Sequence, residues 1–368
     1  MTRSEKKKRY DGMLIFVVLL LVAAGLVILY STSAYNGQVK FHDPFHYLKK
    51  QGFATLLGLF GMALIARVDY HKWVPLAIPA YVTSIILSVA VIFFGDEYNG
   101  SKRWLSLGPI SFQPSEFAKV AVIFFLACLV SRNVQRMKRF RTMILMMIPV
   151  LPIVGLVGAS NLSTAIIILG IAVVLIFVAD PKYVRFILMG SIGVGFMTVF
   201  LAMESYRLER LAIWRHPEQY EKGYQTLQGL YAIGSGGLFG RGLGNSVQKL
   251  GFLPEAQNDM IFSIICEELG LIGAGFIILL FLILIWRFFV ISTKESDLPG
   301  ALIAAVAMAL MMIQVILNIA VVTNSIPNTG ITLPFISYGG TSVVFLLLEM
   351  GLVLSVSNYE GLRYGGSE

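Results

Sequence analysis

Ten apolar stretches, most of about 18 residues or more, fill most of this 368-residue chain, and each is long enough to cross a bilayer of roughly 30 Å as a helix. They lie at Met13 to Ala34 and near 51–66, 73–94, 117–131, 143–159, 162–179, 184–203, 260–291, 298–323 and 335–357. In hydrocarbon only helices and closed barrels satisfy every backbone polar group. A barrel needs short segments of alternating polarity, whereas Ile166 to Ala179 and Phe276 to Trp286 are apolar on every side. The fold class is therefore all-α: a polytopic membrane protein with about ten transmembrane helices, read as a single integral membrane domain over residues 1–368. A content of 57% hydrophobic and 14% charged residues excludes an ordinary soluble domain.

The charges of the short loops set the orientation. With the N terminus inside, the cytoplasmic side collects Arg3, Lys6, Lys7, Lys8 and Arg9, then Arg132, Arg136, Lys138, Arg139 and Arg141, then Lys182, Arg185, Arg287 and Lys294. The outside segments hold Lys40, Lys49, Lys50, Lys102 and Arg103. An even number of spans then places both termini in the cytoplasm. The basic N terminus, residues 1–11, reads as a topology signal rather than a nucleic-acid patch. Two outside loops stand apart: Gly95 to Ser115, and a long loop of about 55 residues, 204–258, between the seventh and eighth spans. The second is too long for a mere connection, and long loops on a rigid scaffold are where function tends to sit.

Polar residues are costly in such a chain and therefore informative. In Gln113-Pro-Ser-Glu-Phe-Ala-Lys119, Pro114 suits the first turn of a helix, Ser115 or Gln113 can cap it, and Glu116 and Lys119 share one face. That pair either orders the helix start or, with Arg103, meets a phosphate. Trp104 beside Arg103 reads as an interfacial anchor. The glycines of Gly234 to Gly244 are not followed by Gly-Lys-Ser/Thr, so they mark tight turns or a re-entrant segment rather than a nucleotide loop. Arg207, Arg210, Arg215, Arg241 and Lys249 make the long loop basic, which suits a diphosphate or an acidic headgroup, while each alone also fits a solvated surface.

Asp259 is expected to begin a long apolar helix, either as an N-cap or first-turn acid favoured by the helix dipole or as a catalytic acid. Glu267 and Glu268, about two turns deeper in the same span, require partners, water, a cavity or a proton. Cys128 and Cys266 fall within spans and read as small apolar fillers. His42, His46, His71 and His216 are scattered over loops on both sides, which argues against a built-in metal site.

Five ordered motifs carry a resemblance. They are Phe112-Gln-Pro-Ser-Glu-Phe-Ala-Lys119, Ala232-Ile-Gly-Ser-Gly-Gly-Leu-Phe-Gly240, Leu253-Pro-Glu followed by Asp259, Glu267-Glu-Leu-Gly270, and Thr329-Gly-Ile-Thr-Leu-Pro-Phe-Ile-Ser-Tyr-Gly-Gly340. Nearly end to end, the chain resembles the SEDS family (shape, elongation, division and sporulation) of FtsW, RodA and SpoVE, and its last motif is more similar to the FtsW and SpoVE branch. Two positions depart from the family pattern. Asn161 stands where many members carry Asp, and Gln257-Asn258-Asp259-Met260 stands where His-Thr-Asp-Phe is common.

The resemblance implies a peptidoglycan glycosyltransferase that polymerises lipid II on the outer face of the bacterial cytoplasmic membrane, in division or sporulation. It implies Asp259 as general base, with Arg103, Glu116, Lys119, Arg210 and Lys249 as candidates for holding diphosphate or positioning its ligands. Glu267 and Glu268 are expected as structural intramembrane polar residues. The sequence offers no dedicated metal cage, although a divalent cation, Mg or Mn, could share the diphosphate. A class B penicillin-binding protein, a transpeptidase, is the implied partner, alongside other divisome or sporulation proteins and no nucleic acid. The rival readings are a lipid II flippase, with Glu116, Lys119, Glu267 and Glu268 lining a path, and a non-catalytic scaffold for wall enzymes.

Overall fold

The computed structural model describes residues 10–98, 101–107, 110–137, 140–179 and 211–364, with scattered positions between 184 and 195. Helices α1 (Gly12–Phe41), α2 (His46–Arg67) and α3 (Ala77–Phe94) lead into a short ribbon of β1 (Asp96–Tyr98), β2 (Ser101–Leu107) and β3 (Ile110–Phe112). Then come α4 (Pro114–Met137), α5 (Phe140–Met147), α6 (Val150–Ser160) and α7 (Leu162–Ala179). The C-terminal part contains α8 (Tyr224–Gly236), α9 (Ile261–Lys294), α10 (Leu298–Val322) and α11 (Gly340–Tyr364).

Among the described residues, seven helical stretches are long and apolar enough to cross a membrane, and α5 with α6, bent by 41°, makes an eighth candidate. The fold is the polytopic helical one expected, with several differences of detail. The stretch 143–159 is not one straight helix. Pro149, which cannot donate a helical hydrogen bond, sits between α5 and α6 at the bend. The stretch 51–66 is the interior of α2, whose ends carry Lys49, Lys50 and Arg67. The expected seventh span, 184–203, lies outside the described residues apart from scattered helical positions. The last span begins at Gly340, later than expected, because Phe335 adopts a left-handed φ of 62° in the preceding turn.

The loop Gly95 to Ser115, expected outside, contains an antiparallel ribbon pairing Glu97 with Lys102 and Leu105 with Phe112. Among the described residues it is the one departure from an all-helical fold. The long loop also has structure, including 3₁₀ turns at Pro217–Gln219 and Glu221–Gly223 and the helix α8. Its residue Trp214 donates its indole N–H to the Asn324 carbonyl at 2.9 Å, which ties the loop to the C-terminal end of α10.

Lipid tails are as apolar as leucine, so helices in a membrane are held by close packing and polar contacts rather than by exclusion of water. A Cβ on Gly351 of α11 would lie only 2.8 Å from the Met62 carbonyl oxygen of α2, so these helices touch backbone to backbone. Asp11 caps α1 by accepting from the Leu14 N–H at 2.8 Å and is ion-paired with Arg287 of α9. Helix α10, the most enclosed of the candidate spans, carries the buried amides Gln314 and Asn318.

Candidate active site at the mouth of the bundle

Asp259 lies in the turn that precedes α9, not within it. The N-cap is Met260, with no side-chain capping bond, so Asp259 is neither the expected cap nor a first-turn acid. Instead its segment is stapled from below. Asn318 of α10 donates through Nδ2 to the carbonyls of Asp259 at 2.8 Å and Ile331 at 2.7 Å. Ser337 donates to the Asn258 carbonyl at 2.7 Å, and the Tyr338 N–H to the Gln257 carbonyl at 2.9 Å. The Thr329-to-Gly340 motif is thus the bed on which the acid rests, and a Cβ on Gly330 would stand 3.9 Å from Asp259 Oδ2. Ser163, at the start of α7, fixes that bed by donating to the Thr329 carbonyl at 2.5 Å.

The Asp259 side chain is buried, and its Oδ1 has no hydrogen-bond partner among the described residues. Burial, reinforced by the negative charge of Glu255, pushes its carboxyl up to about 7. The backbone N–H groups of Asp259 and Met260 and the charge of Arg103 pull the other way. Arg103 extends from β2 and is anchored by its Nε–H on the Ser160 carbonyl at 3.0 Å, where α6 ends. One residue on, Asn161 accepts from the Thr164 N–H at 3.2 Å and so caps α7. The amide therefore performs the capping that an aspartate would offer there.

The other candidates do not join Asp259. Glu116 and Lys119 form a buried ion pair at 3.0 Å in the first turns of α4. Lys249, expected as a diphosphate ligand, is already committed: its ammonium contacts Glu268 at 2.6 Å and Ser31 of α1 at 3.0 Å. Arg210 lies outside the described residues.

Glu267 and Glu268 are not in mid-span, because Gly270 breaks α9 with φ 66° and ψ −170° and separates their short segment from the rest of the helix. The long loop folds onto that segment. Glu267 accepts from the Val247 N–H at 3.0 Å, the Gln248 N–H at 3.3 Å and the Ser246 hydroxyl. Glu268 accepts from Ser31 at 2.8 Å and 2.7 Å. Glycine makes the approach possible: a Cβ on Gly240 would sit 2.2 Å from the Glu268 carbonyl, and one on Gly236 would sit 1.9 Å from that of Cys266.

Three participants were missed by reading the sequence. Asn318 and Ser31 are ordinary polar residues in apolar stretches and give no distinct signal. Glu349 should have been noticed, being a lone acid within the apolar stretch 335–357, the criterion that drew attention to Glu267 and Glu268.

A multi-pass helical bundle with a buried acid in the turn before α9 and an arginine whose charge acts on it defines a polytopic membrane protein with a candidate site at the ends of its helices. The chain belongs to the FtsW/RodA/SpoVE family of cell cycle proteins, whose model matches residues 11–361. It is 39% identical over 360 residues to stage V sporulation protein E of Bacillus subtilis (strain 168), covering 96% of this chain and 98% of that one. It is 35% identical over 354 residues to a probable peptidoglycan glycosyltransferase FtsW of Geobacter sp. (strain M18), covering 95% and 96%. A chain in the solved structure "Structural coordination of polymerization and crosslinking by a peptidoglycan synthase complex" matches with a TM-score of 0.79 at 28% identity, over 95% of this chain and 98% of that one. The rod shape determining protein RodA of Thermus thermophilus matches with a TM-score of 0.70 at 29% identity, over 95% and 96%.

Proposed function

We propose that this chain is a peptidoglycan glycosyltransferase that polymerises lipid II on the outer face of the cytoplasmic membrane, releasing undecaprenyl diphosphate. The observation that carries the reading is Asp259: an acid at the mouth of a span, with one oxygen unpartnered and a pKa of about 7. A general base works best with a pKa near the operating pH, since it must be ionised and still hold a proton firmly. Asp259 takes the proton from a sugar hydroxyl as that oxygen forms its bond to the anomeric carbon. The bond from that carbon to the diphosphate oxygen breaks, and the diphosphate leaves as an anion. Arg103, whose charge already acts on Asp259, is the cation nearest in role to the departing diphosphate. Glu116 with Lys119 and Lys249 with Glu268 are spent on their own ion pairs, and Glu267 on the long loop and Arg241, so all five take structural roles in this reading.

A divalent cation, Mg or Mn, would supply further neutralisation of the diphosphate when bound. No group of three His, Cys, Asp or Glu side chains among the described residues is placed to hold one. A class B penicillin-binding protein is the proposed partner, a reading supported by the synthase complex that this chain resembles. The flippase reading loses support because its four charges fall into two networks with different partners, Glu116–Lys119 and Glu267–Glu268 with the long loop. The test is a purified-protein assay for glycan polymer from lipid II, with and without the transpeptidase. Polymer supports the reading, and its absence in both arms overturns it in favour of a scaffold or transporter.

A further inference from the structure

Asp259 has no helix to fix it, because it lies in the turn before α9. The backbone N–H groups of Asp259 and Met260 hold its carboxyl, so the acid goes wherever that turn goes. The two residues before it are tied to the Thr329-to-Gly340 motif, Asn258 by its carbonyl to Ser337 and Gln257 by its carbonyl to the Tyr338 N–H. The carbonyl of Asp259 itself is tied to a different element. Nδ2 of Asn318 on α10 donates to it at 2.8 Å and to the Ile331 carbonyl at 2.7 Å.

An amide carries two N–H donors in one plane, so this single nitrogen holds the two carbonyl oxygens about 5 Å apart. Asn318 is 0% exposed on the most enclosed of the candidate spans, which makes it a fixed point of reference. Gly330 stands between the tethered Ile331 and Thr329, whose carbonyl is anchored by Ser163 at 2.5 Å. A Cβ on Gly330 would lie 3.9 Å from Asp259 Oδ2, so the amide sets the gap between the acid and the glycine that faces it. Leucine, of similar shape, would leave both carbonyls unpaired in a buried place, and an ionised aspartate would oppose them with like charge. We infer that Asn318 is a positioning residue for the polymerisation proposed above, touching no reacting atom and acting by holding Asp259 at a fixed depth and a fixed distance from Gly330. The inference rests on the reading of Asp259 as general base.

The experiment measures polymerisation from lipid II between pH 5.5 and pH 8.5 by purified full chains with the transpeptidase, with folding followed by thermal unfolding. It compares the wild type with Asn318→Leu, Asn318→Asp and Leu310→Ala. Leu310, buried on α10 two turns before Asn318, controls for lost stability alone. In Asn318→Leu, kcat should fall about 10- to 10²-fold with KM within about twofold, since a small misplacement of a catalytic group has that cost. The midpoint of its pH–rate profile should move below that of the wild type, because a released turn lets Asp259 meet water. Asn318→Asp should move the midpoint upward, since it adds a carboxyl to a site where Glu255 and Arg103 are the charges already acting on Asp259. Leu310→Ala should keep the wild-type midpoint and KM. If Asn318→Leu does not fold, Asn318→Ser serves, keeping one donor, with the shift expected in the same direction. Asn318 variants whose midpoint and KM match those of Leu310→Ala would make the amide merely structural and overturn the inference while leaving the polymerase reading intact. Polymerisation that survives Asp259→Asn would instead remove the base that Asn318 holds, and both readings with it.

Discussion

At the scale of single residues, the sign of the Asp259 shift makes two predictions. Its folded-state pKa of about 7 lies above the ordinary value of 3.8, so the folded protein binds this proton more tightly than the unfolded chain does. Any stability attached to the proton is intact below about pH 4 and is lost as the pH climbs to about 7, at a cost on the order of 4 kcal/mol. Asp259→Asn should therefore melt higher than the wild type at pH 8 and equal to it at pH 4, which calorimetry can read. Catalysis runs the opposite way, because the base must be ionised. Below pH 7 the rate of polymerisation should fall about tenfold per unit, and above it the rate should level off. Lys249 offers a second residue-scale test. Lys249→Met leaves Glu268 buried without its cation and should cost about 3–5 kcal/mol, part of which Glu268→Gln in the same chain restores. The sequence made Asp259, Glu267 and Glu268 visible because charge in apolar surroundings is rare. It could not say that Lys249 is spent on Glu268, since the two meet only when the long loop folds back onto α9.

At the scale of elements, the helices were legible wherever an apolar stretch was long and uninterrupted, as in α1, α7 and α10. Breaks were less so. Gly270 lies two residues past the Glu267-Glu268 pair in an otherwise apolar stretch, and its left-handed φ is imposed by the loop that crosses it, with the Leu271 N–H bonded to the Gly237 carbonyl at 2.9 Å. Such a tertiary demand leaves no mark in periodicity. The ribbon was not anticipated, although Asn99-Gly100 in the sequence is a hairpin signal that could have found it. The crossing supplies its own test. Gly240→Ala meets a left-handed φ of 77° and a contact of 2.2 Å with the Glu268 carbonyl, so it should cost at least about 1–3 kcal/mol. Limited proteolysis should then cut the 237–249 loop in the variant while sparing the wild type.

At the scale of the whole molecule, the account requires that the mouth holding Asp259 face outward. Single cysteines at Phe239 and Leu243, both exposed in the long loop, should react with an impermeant thiol reagent in intact cells, while one at Arg136 should react only after permeabilisation. The reverse pattern would invert the topology and move the chemistry to the wrong side for wall synthesis. Apolar stretches were enough to anticipate the bundle. The grouping of the candidate site was not legible from single residues, because its parts, from residues near 103, 163, 259, 318 and 330, are distant in the chain and converge through tertiary packing. The central claim is that Asp259 removes a proton from the attacking sugar hydroxyl, and one measurement tests it most directly: polymer formation from lipid II by purified Asp259→Asn with its transpeptidase partner, alongside lipid II binding. The account predicts native folding, retained binding and a rate reduced by about 10² to 10⁴. Polymerisation near the wild-type rate by that folded variant would contradict it.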